Sequence, residues 1–577
     1  MSAPAVDTSN RVRYHVIIVF RPKILTSFSG YSLRQFATDS FSGLIVGVIA
    51  VPLSIAVAVA SGVTPQQGLA TAVIAGIVVA VFGGGPVQVS GPTGTFVVLA
   101  YAIGARYGYA GLALATMMAG VILALMGIAR FGRVIQYVPY PVVIGFSSGI
   151  ATVILVSQVG DLLGLSLVGA PPDAIARIAA YFGALDRISI IDTLIALVTI
   201  GILAGWKYVS QRVPAPLVAI LVVTLPVALF DLPAVTITTR FGGLPRGIQW
   251  YGFPPVSWEL IRELFIPAFT IALLCGIESL FTAVVADGMV GDRHDPNTEL
   301  IAEGAANFTV ALFGGIPASG AIARTATNAK NGGRTPVAAI ANALVVFLTI
   351  SILAPLAGYI PIAALAGVLT VVAYNMAEWR SFAALAKGPK SDMIVLLSTF
   401  SLTVLVDLSV AIQVGMVLAA FLFMRRMSIV AQVTVTRADE ESALGDDGSE
   451  AARDEPRRVL PKGVELYQID GPFFFGAAEK FRNAMLLIER RPRVRIVRMR
   501  NVGAIDATGL RLLEDLVSDS DRHGGHFILC GLQAQPERAL TKSGLRDRIG
   551  AKNITATLDD ALVRAAELSA RTPEPSR

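Results

Sequence analysis

The sequence predicts a multi-span α-helical membrane protein that continues into a small soluble α/β domain. The chain is 54% hydrophobic and 15% charged, whereas soluble domains carry about 25% charged residues. No charged residue occurs from Ser40 to Ala105, which leaves room for about three segments of the ~20 residues that cross a bilayer. The composition changes abruptly after Met427, where a polar, acidic stretch begins.

Further apolar stretches raise the expected total to roughly 12–14 membrane segments. They lie at about 110–129, 134–160, 189–205, 214–230, 264–286, 301–316, 336–356, 359–374 and 392–424. Basic residues flank the region, with Arg11, Arg13, Arg21, Lys23 and Arg34 before it and Arg425 and Arg426 after it. Because cytoplasmic loops are enriched in Lys and Arg, both ends are expected in the cytoplasm, which requires an even number of spans.

Composition divides the chain into five parts. They are a cytoplasmic N-terminal segment (1–38), a transmembrane domain (39–430), a linker (431–460), a soluble domain (461–570) and a disordered tail (571–577). The acidic run "RADEESALGDDGSEAARDEPRR" is typical of an exposed linker. Cys275 and Cys530 give neither a disulfide framework nor a metal-binding spacing. The net charge of +6 is modest, so we expect no nucleic-acid partner; because the cysteines offer no metal-binding spacing, we expect no metal, and we expect no cofactor.

The soluble domain is predicted to alternate strands and helices. The segments "VELYQI", "RVRIVRM" and "HFILCG" have the pattern of strands, and "GAAEKFRNAMLLIERR", "AIDATGLRLLEDLVSD", "QPERALTKSGL" and "LDDALVRAAEL" contain helical patterns. This order indicates a sheet covered by helices. Asp506 and Thr508 precede a helix, where side-chain oxygens cap free N–H groups. The alternative is a regulatory phosphorylation site at Thr508.

An unusual motif occurs once in each half of the membrane region. "FGGGPVQVSGPTG" spans 82–94 and "FGGIPASGAIART" spans 313–325, and both read Phe-Gly-Gly-x-Pro followed by Ser-Gly. Glycine and proline break helices, and lipid cannot solvate the backbone groups that a broken helix leaves open, so such segments line protein-enclosed cavities. We therefore expect two short half-helices that begin near the midplane, at Ser90–Gly94 and Ser319–Ala323.

Two facing helix starts predict an anion site made of backbone N–H groups and the positive ends of helix dipoles. Arg324 adds a fixed cation whose fork of donors suits a carboxylate or sulfate; its alternative roles are a structural ion pair or an interfacial position. The candidate substrate-binding residues are Ser90, Gly91, Thr93, Gly94, Ser319, Gly320, Ala321 and Arg324, with the Thr95 hydroxyl as a further donor.

One carboxylate lies about mid-span in the apolar segment "IALLCGIESLFTAVVADGM". This residue is Glu278, and Thr282 follows one turn later. An ionisable group at such depth is costly and is a functional candidate by default, either as a proton carrier or as a ligand of Na⁺. Asp287, nearer the helix end, is predicted to cap the helix or to lie at the membrane interface. Glu303 and Asn307 share a helix face, and two roles stay open for them: support of the site, or packing between helices.

These residues carry a resemblance to the SulP-type anion transporters, the bacterial counterparts of the animal sulfate and anion exchangers. The resemblance runs from about residue 36 to 568. It rests on "VPLSIAVAVASGVTPQQGL", "VSGPTGTF", "PVVIGFSSGIATVILVSQVGDLLG", "ADGMVGDRHDPNTELIAEGAAN" and "FGGIPASGAIARTATNAKNGGRTP". The soluble tail, through "AIDATGL", resembles a STAS domain, named after sulfate transporters and anti-sigma antagonists.

The resemblance implies fourteen membrane segments as two inverted sevens, divided into a core and a gate. It implies that the core moves against the gate like an elevator, with the anion between the third and tenth segments. Arg324 matches the family's arginine at the start of the tenth segment, and Glu278 matches its coupling acid. The resemblance also implies a homodimer in the bacterial plasma membrane, with cytoplasmic STAS domains whose partner is unknown.

The family pattern leaves the substrate and the coupling ion open. Sodium-coupled bicarbonate members carry an aspartate and a threonine where this chain has Glu278 and Ile322, whereas the glutamate form resembles proton-coupled bacterial members, including a four-carbon dicarboxylate transporter. We expect a secondary active transporter, by proton symport of a dicarboxylate, sulfate or bicarbonate. The alternatives are a sodium-coupled or uncoupled anion carrier or exchanger, a nucleobase transporter of the same architecture, and a membrane-anchored STAS signalling scaffold. An enzyme is not expected, because the sequence shows no nucleophile–base pair, metal cluster or Walker loop.

Overall fold

The computed structural model describes residues 20–571, apart from 136–137, 166–170, 172–173, 210–212, 407, 431, 438–459 and 487–491. Half of the predicted N-terminal segment 1–38, most of the predicted linker 431–460 and nearly all of the predicted tail 571–577 therefore lie outside the described residues. The chain divides into two compact units, Met1–Ala419 and Ala420–Arg577.

The first unit is almost entirely helical, as the sequence predicts. Its helices are α1 (Ile24–Ser27), α2 (Leu33–Ala60), α3 (Pro65–Phe82), α4 (Val97–Ile128), α5 (Gly132–Ile135), α6 (Tyr140–Leu162), α7 (Ala174–Phe182), α8 (Ile190–Gly205), α9 (Ala215–Leu229), α10 (Ile237–Phe241), α11 (Trp258–Val290), α12 (Pro296–Leu312), α13 (Ile322–Lys330), α14 (Pro336–Ile352), α15 (Ala354–Ala357), α16 (Ile362–Met376), α17 (Trp379–Ala386), α18 (Lys390–Leu405) and α19 (Leu408–Val430), the last of which continues into the second unit. Two short strands, β1 (Ser90–Pro92) and β2 (Ala318–Gly320), interrupt this helical order.

Seven helices in the described part of the chain are long and apolar enough to cross a membrane, and three shorter apolar helices accompany them. One long helix is broken: α4 contains Gly108 at φ 68° and ψ −179°. Glycine tolerates this conformation because it has no Cβ, so α4 consists of two helices in sequence. The expectation of a multi-span helical membrane protein is confirmed, and the number fourteen stays a prediction.

The helices pack in two groups. In the first group, α2 and α3 pack on α14, and α11 and α12 pack on α4; in the second, α6 packs on α16 and α18, and α8 packs on α9 and α16. Close crossings use small residues, as is typical of membrane helices. Gly43 and Gly47 of α2 lie directly against α14, and Gly145 and Gly149 of α6 lie directly against α18.

The soluble unit contains one five-stranded sheet, in the order β3-β4-β5-β6-β7. Its strands are β3 (Gln432–Arg437), β4 (Val464–Asp470), β5 (Val494–Asn501), β6 (His526–Cys530) and β7 (Ile554–Thr555). Strand β3 is antiparallel to β4, and the other neighbours are parallel. The accompanying helices are α20 (Phe475–Leu486), α21 (Ala507–Arg522), α22 (Ala534–Lys542), α23 (Leu545–Ile549) and α24 (Leu558–Arg571).

Strand β3 lies inside the stretch 431–460 that the composition predicts as a linker. Its sequence "QVTVTR" alternates apolar and polar residues, which suits an edge strand, and it pairs with β4 from Gln432↔Asp470 to Arg437↔Glu465. The linker prediction is therefore wrong for residues 432–437. The strand pattern is hard to recognise in the sequence because the acidic run follows it directly, so that the two appear as one polar stretch.

Candidate functional site

The two copies of the Gly-Gly-x-Pro motif meet as a pair of antiparallel strands. In β1 and β2, Ser90 lies opposite Gly320, and Gly91 lies opposite Ser319. The Ala321 N–H extends the ladder by donating to the Val89 carbonyl at 3.0 Å. The motifs thus satisfy much of each other's backbone, which lipid cannot do.

The structure shows where within the predicted entry segments the helices begin. The sequence predicts Ser90–Gly94 and Ser319–Ala323 as the entries, and within or beside them residues 90–92 and 318–320 form strands. The first helix begins with a 3₁₀ turn at Gly94–Phe96, and the second begins at Ile322. Both helices therefore start directly after the strand pair, so that their N-terminal ends still converge on the same region.

Glu278 of α11 contacts both motifs through hydroxyl groups. Its Oε2 accepts hydrogen bonds from Thr93 Oγ1 at 3.1 Å and from Ser319 Oγ at 2.6 Å, and its Oε1 accepts one from Thr95 Oγ1 at 3.1 Å. The Thr93 and Ser319 hydroxyls are themselves 3.2 Å apart. Thr282, one turn later, donates to the Gly320 carbonyl at 2.9 Å. The structure therefore brings Glu278 and Thr282 to the predicted anion site, where Thr282 holds the backbone of β2.

Arg324 is a buried cation that is only partly satisfied. It is 3% exposed, and its Nη2 donates to the Pro92 carbonyl at 2.7 Å. Its Nη1 has no hydrogen-bond partner among the described residues. No ion pair within the described chain neutralises it at contact distance. A buried guanidinium with an unused donor is suited to an anionic ligand.

The glycines of the motifs make room for neighbouring side chains. A Cβ on Gly91 would lie 2.6 Å from Arg324 Nη1, and a Cβ on Gly320 would lie 2.4 Å from Gln88 Nε2. Around Gly94 the nearest atom, Met376 Sδ, would be 3.6 Å away. A side chain at position 91 or 320 would displace Arg324 or Gln88, so glycine keeps these two side chains in place. A Cβ at position 94 would meet only ordinary contacts.

A cavity of about 420 Å³ lies beside the strand pair. Thr93, Thr95, Glu278 and Arg324 form the polar side next to the strand pair, and Ser147, Asn375 and Glu378 add polar groups elsewhere in the lining. Apolar residues of α2, α6, α11 and α16 form much of the rest, including Val57, Phe146, Ile277, Val372 and Met376. The arrangement offers a cation and hydroxyl groups on one wall of a mainly apolar chamber, as in many small-molecule sites.

A second layer of polar residues lies behind the strands. Asn307 accepts the Ala318 N–H at 2.9 Å and donates to the Ala318 carbonyl at 2.9 Å, and Ser279 accepts the Gly320 N–H at 2.9 Å. Glu303 accepts a hydrogen bond from the Ser90 hydroxyl. Sequence reasoning left Glu303 and Asn307 open between support and packing and did not identify Gln88 or Ser279. The i,i+4 spacing of Glu303 and Asn307 was the sequence feature that could indicate a buried polar layer at this position.

Three other predicted positions, Asp506, Thr508 and Asp287, are described by their local surroundings. Asp506 caps α21 by accepting the Gly509 N–H at 2.8 Å, and Thr508 is exposed in the first turn. Asp287 accepts the His294 N–H at 3.0 Å and lies 2.8 Å from His294 Nδ1. Both aspartates thus have local structural partners. No group of three or more potential metal ligands occurs in the described chain.

Comparison with known proteins agrees with this architecture. Residues 36–399 match the model of the sulfate permease family, and residues 456–561 match the STAS domain. The chain is 38% identical to YvdB of Bacillus subtilis, whose name assigns it provisionally to sulfate transport, over 91% of this chain and 96% of that protein. It is 30% identical to the bicarbonate transporter BicA of Picosynechococcus sp., over 92% of this chain and 95% of that protein.

The solved structure of SLC26A9 shares the fold, with a TM-score of 0.84 over 95% of this chain and 93% of that chain at 19% identity. The two curated relatives are named as transporters and not as enzymes, in agreement with the expectation from the sequence. With a family match that covers most of its helical unit and a strand pair built from its repeated motif, the chain belongs to the sulfate permease family and carries a STAS domain.

Proposed function

We propose that this chain imports a small anion across the bacterial plasma membrane together with protons. One observation carries the proposal: Arg324, with an unused donor, and Glu278, with three hydroxyl partners, line the same cavity at the converging helix starts. A buried cation and a deep carboxylate at a broken pair of helices are what binding and coupling of an anion require.

The site favours an anion with at least one carboxylate-like or sulfate-like group. Relatives are named for sulfate and for bicarbonate, and the Arg324 fork suits both of these and a carboxylate. The cavity of about 420 Å³ also accommodates a four-carbon dicarboxylate, with its chain against the apolar wall. A dicarboxylate, sulfate and bicarbonate are therefore the substrates to compare.

Glu278 is the proposed coupling group, and the proton is the proposed coupling ion. A carboxylate surrounded by hydroxyl groups is stable in both protonation states, because hydroxyls both donate and accept. A sodium ion would need several oxygen ligands, and Ile322, which lines the cavity beside Arg324, supplies none from its side chain. Sodium coupling is the alternative, in which Glu278 and the Gly320 carbonyl would be natural ligands.

The proposed transport step is an elevator movement of one helix group against the other. The wall with Arg324 and Glu278 belongs to residues 93–95, which follow β1, and to α11 and α13, whereas α6 and α16 contribute other lining residues. A shift between these groups would carry Arg324 and Glu278 as one unit. We further propose that the protein has fourteen spans, that both termini lie in the cytoplasm and that it forms a homodimer. The basic residues Arg21, Lys23 and Arg34 before the first span support a cytoplasmic N-terminus.

The proposal is tested with purified protein in liposomes. Uptake of labelled succinate, sulfate and bicarbonate is measured with an inward proton gradient, with an inward sodium gradient and with neither. We expect one anion to accumulate only under the proton gradient. Accumulation that depends on sodium, or uptake indifferent to both gradients, would contradict proton coupling; no uptake of any of the three anions would contradict the substrate class.

A further inference from the structure

Helix α12 carries four polar side chains at i,i+4 spacing on one face. Asp295 caps its start and is exposed, whereas Glu299, Glu303 and Asn307 are each 0% exposed. Ionised carboxylates at this spacing repel one another, and a buried carboxylate without a cation is very costly. Within the described residues, no Lys, Arg or His forms an ion pair with Glu299 or Glu303. If both glutamates were ionised, the face would carry two buried negative charges with no cation of the described residues in contact to balance them.

Hydrogen-bond acceptors also outnumber donors here. Glu299 Oε2 accepts the N–H groups of Gly84 and Gly85 at 2.8 and 2.9 Å, but its Oε1 has no partner among the described residues. Gln88, which is 4% exposed, donates to Glu303 Oε1 at 3.4 Å, and its own Oε1 likewise has no partner there. Two buried oxygens thus lack a donor, and a proton bound to a carboxyl group would supply one.

Glu303 lacks the donors that an ionised carboxylate needs. Its Oε1 accepts from Ser90 and Gln88, while its Oε2 lies 3.9 Å from the Cys275 thiol, with the Ser279 hydroxyl as a further neighbouring donor. That thiol lies closer to the Ala318 carbonyl, at 3.1 Å. Glu278, by contrast, accepts from three hydroxyl groups. The contacts of Glu303 therefore suit the protonated form better than those of Glu278 do.

Glu303 and Glu278 lie on opposite sides of the strand pair. Glu303 bonds to Ser90 of β1, and Glu278 bonds to Ser319 of β2, whose partner in register is Gly91. Because successive residues of a strand point to opposite faces, Ser90 and Ser319 connect the two carboxylates to one backbone unit from either side. A change of charge on one carboxylate therefore changes the electrostatic energy of the other, because the protein around them has a low dielectric constant.

Of the other charged groups near this face, Lys23 and His294 are paired with aspartates, whereas Arg324 forms no ion pair at contact distance and keeps an unused donor. Lys23 Nζ pairs with Asp292 at 2.7 Å, and His294 pairs with Asp287 at 2.8 Å. On α13, Arg324 donates to Pro92. On α11, the titratable groups toward Glu303 are Cys275 and Glu278, described above. Helix α3, which packs on α12, contains no titratable residue.

We propose that Glu299 and Glu303 form a proton-holding path along α12, with Gln88 as a hydrogen-bond donor to Glu303, between the exposed helix start at Asp295 and Ser90 at the anion site. This proposal rests on the proposed proton coupling. It adds Glu299 and Glu303 to Glu278 as carboxyl groups that carry the coupled proton. Each transfer moves one H⁺ between the carboxyl groups of Glu299 and Glu303: the donating carboxyl group becomes a carboxylate, the receiving carboxylate becomes neutral, and the Gln88 amide keeps its own protons. No other reactant is needed.

The test uses Glu299→Gln and Glu303→Gln in the full chain, because the amide keeps the shape and removes the exchangeable proton. The matched control is Glu259→Gln, at an exposed glutamate in the first turn of α11. We expect both buried variants to lose proton-driven uptake by at least about tenfold. Exchange of labelled for unlabelled anion at equal pH, which needs no net proton movement, should stay within about twofold of the wild type.

Different results would overturn the proton path and the proposed proton coupling. Proton-driven uptake that survives in both variants would overturn the path and leave Glu278 coupling intact, whereas wild-type protein without proton-driven uptake would overturn the coupling itself. If a variant loses exchange as well, infrared spectroscopy of the purified protein tests directly whether Glu299 and Glu303 carry protons. A carbonyl band of protonated carboxylic acid at neutral pH that weakens in Glu303→Gln or Glu299→Gln supports the path, and an unchanged band overturns it.

Discussion

Arg324 and Gly91 depend on each other at the residue scale. The guanidinium occupies the space that a side chain at position 91 would fill, since a Cβ there would lie 2.6 Å from Nη1. The hydrogen bond from Nη2 to the Pro92 carbonyl fixes the remaining orientation. The position of the cation is thus determined by the backbone of β1 rather than by an acidic partner, which leaves its charge available to an anion.

Gly91→Ala should therefore weaken anion binding without unfolding the protein. The methyl group must displace the guanidinium, so we expect the KM for the anion to rise about tenfold or more, equivalent to about 1.4 kcal/mol or more of lost binding. Gly104→Ala is the matched control, because a Cβ at position 104 of α4 meets no atom within 4 Å. Initial uptake rates over a range of anion concentrations measure the effect, and equal KM values for the two variants would contradict it.

Cys530 allows a residue-scale test in the soluble unit. Burial raises the pKa of its thiol to about 11, only partly offset by Arg498. A raised folded pKa stabilises the fold below the unfolded pKa of about 8.5–9, and this contribution is lost as pH rises through about 11. Because the thiolate is the reactive form, iodoacetamide at pH 9 should label Cys530 in the native chain at least about tenfold more slowly than in the unfolded chain. Peptide mass spectrometry measures both rates, and similar rates would contradict the burial.

At the scale of elements, close helix contacts hold the first unit together. Gly120 of α4 and Gly304 of α12 face each other: a Cβ on Gly120 would lie 2.6 Å from the Gly304 carbonyl oxygen, and one on Gly304 would lie 2.6 Å from the Gly120 carbonyl oxygen. The two backbones are therefore in contact, and neither residue can be enlarged without separating the helices. Association of membrane helices depends on such packing rather than on the hydrophobic effect.

Gly304→Val should accordingly destabilise the protein by about 1–3 kcal/mol, the typical cost of overpacking. Gly288→Ala in α11 is the control, since that position is exposed and a Cβ there meets nothing within 4 Å. Thermal unfolding in detergent, followed by circular dichroism, measures both. An unchanged midpoint for Gly304→Val would show that the α4–α12 contact does not limit stability.

The elements of the site were only partly predictable from the sequence. The repeated motif indicates two broken helices, and the depth of Glu278 indicates a functional acid, because both signals are local. The pairing of residues 90–92 with 318–320 was not predictable, since it joins segments more than two hundred residues apart and neither strand is long enough to show a period of two. Gln88 was missed for the same reason: its importance arises only from its contact with Glu303.

At the scale of the whole molecule, the chain combines two units with separate cores. The helical unit contains the candidate anion site, and the soluble unit has its own sheet with buried Tyr467, Phe473 and Phe481. Strand β3 begins at Gln432, directly after α19 ends at Val430. A division of the chain must therefore fall at residue 431 and not within the acidic stretch, where it would leave the edge strand without its sheet.

Residues 1–431 alone should retain anion transport in liposomes, at no less than roughly a third of the full-length rate, if the soluble unit regulates or assembles the protein. The helical unit contains every residue assigned to the site and has a hydrophobic core of its own, as a domain that can fold alone requires. The full-length chain is the control. Loss of transport in well-folded 1–431 protein would show that the soluble unit takes part in the transport cycle.

The central claim is that Glu278 couples anion movement to protons, and one measurement tests it most directly. Proton entry and uptake of labelled anion are recorded together in liposomes for wild type, Glu278→Gln and the control Glu259→Gln. We predict that wild type and Glu259→Gln take up protons with the anion and accumulate it under an inward proton gradient. Glu278→Gln should neither accumulate the anion nor move protons, because an amide cannot load and release one. Concentrative, proton-linked uptake by Glu278→Gln would contradict the account.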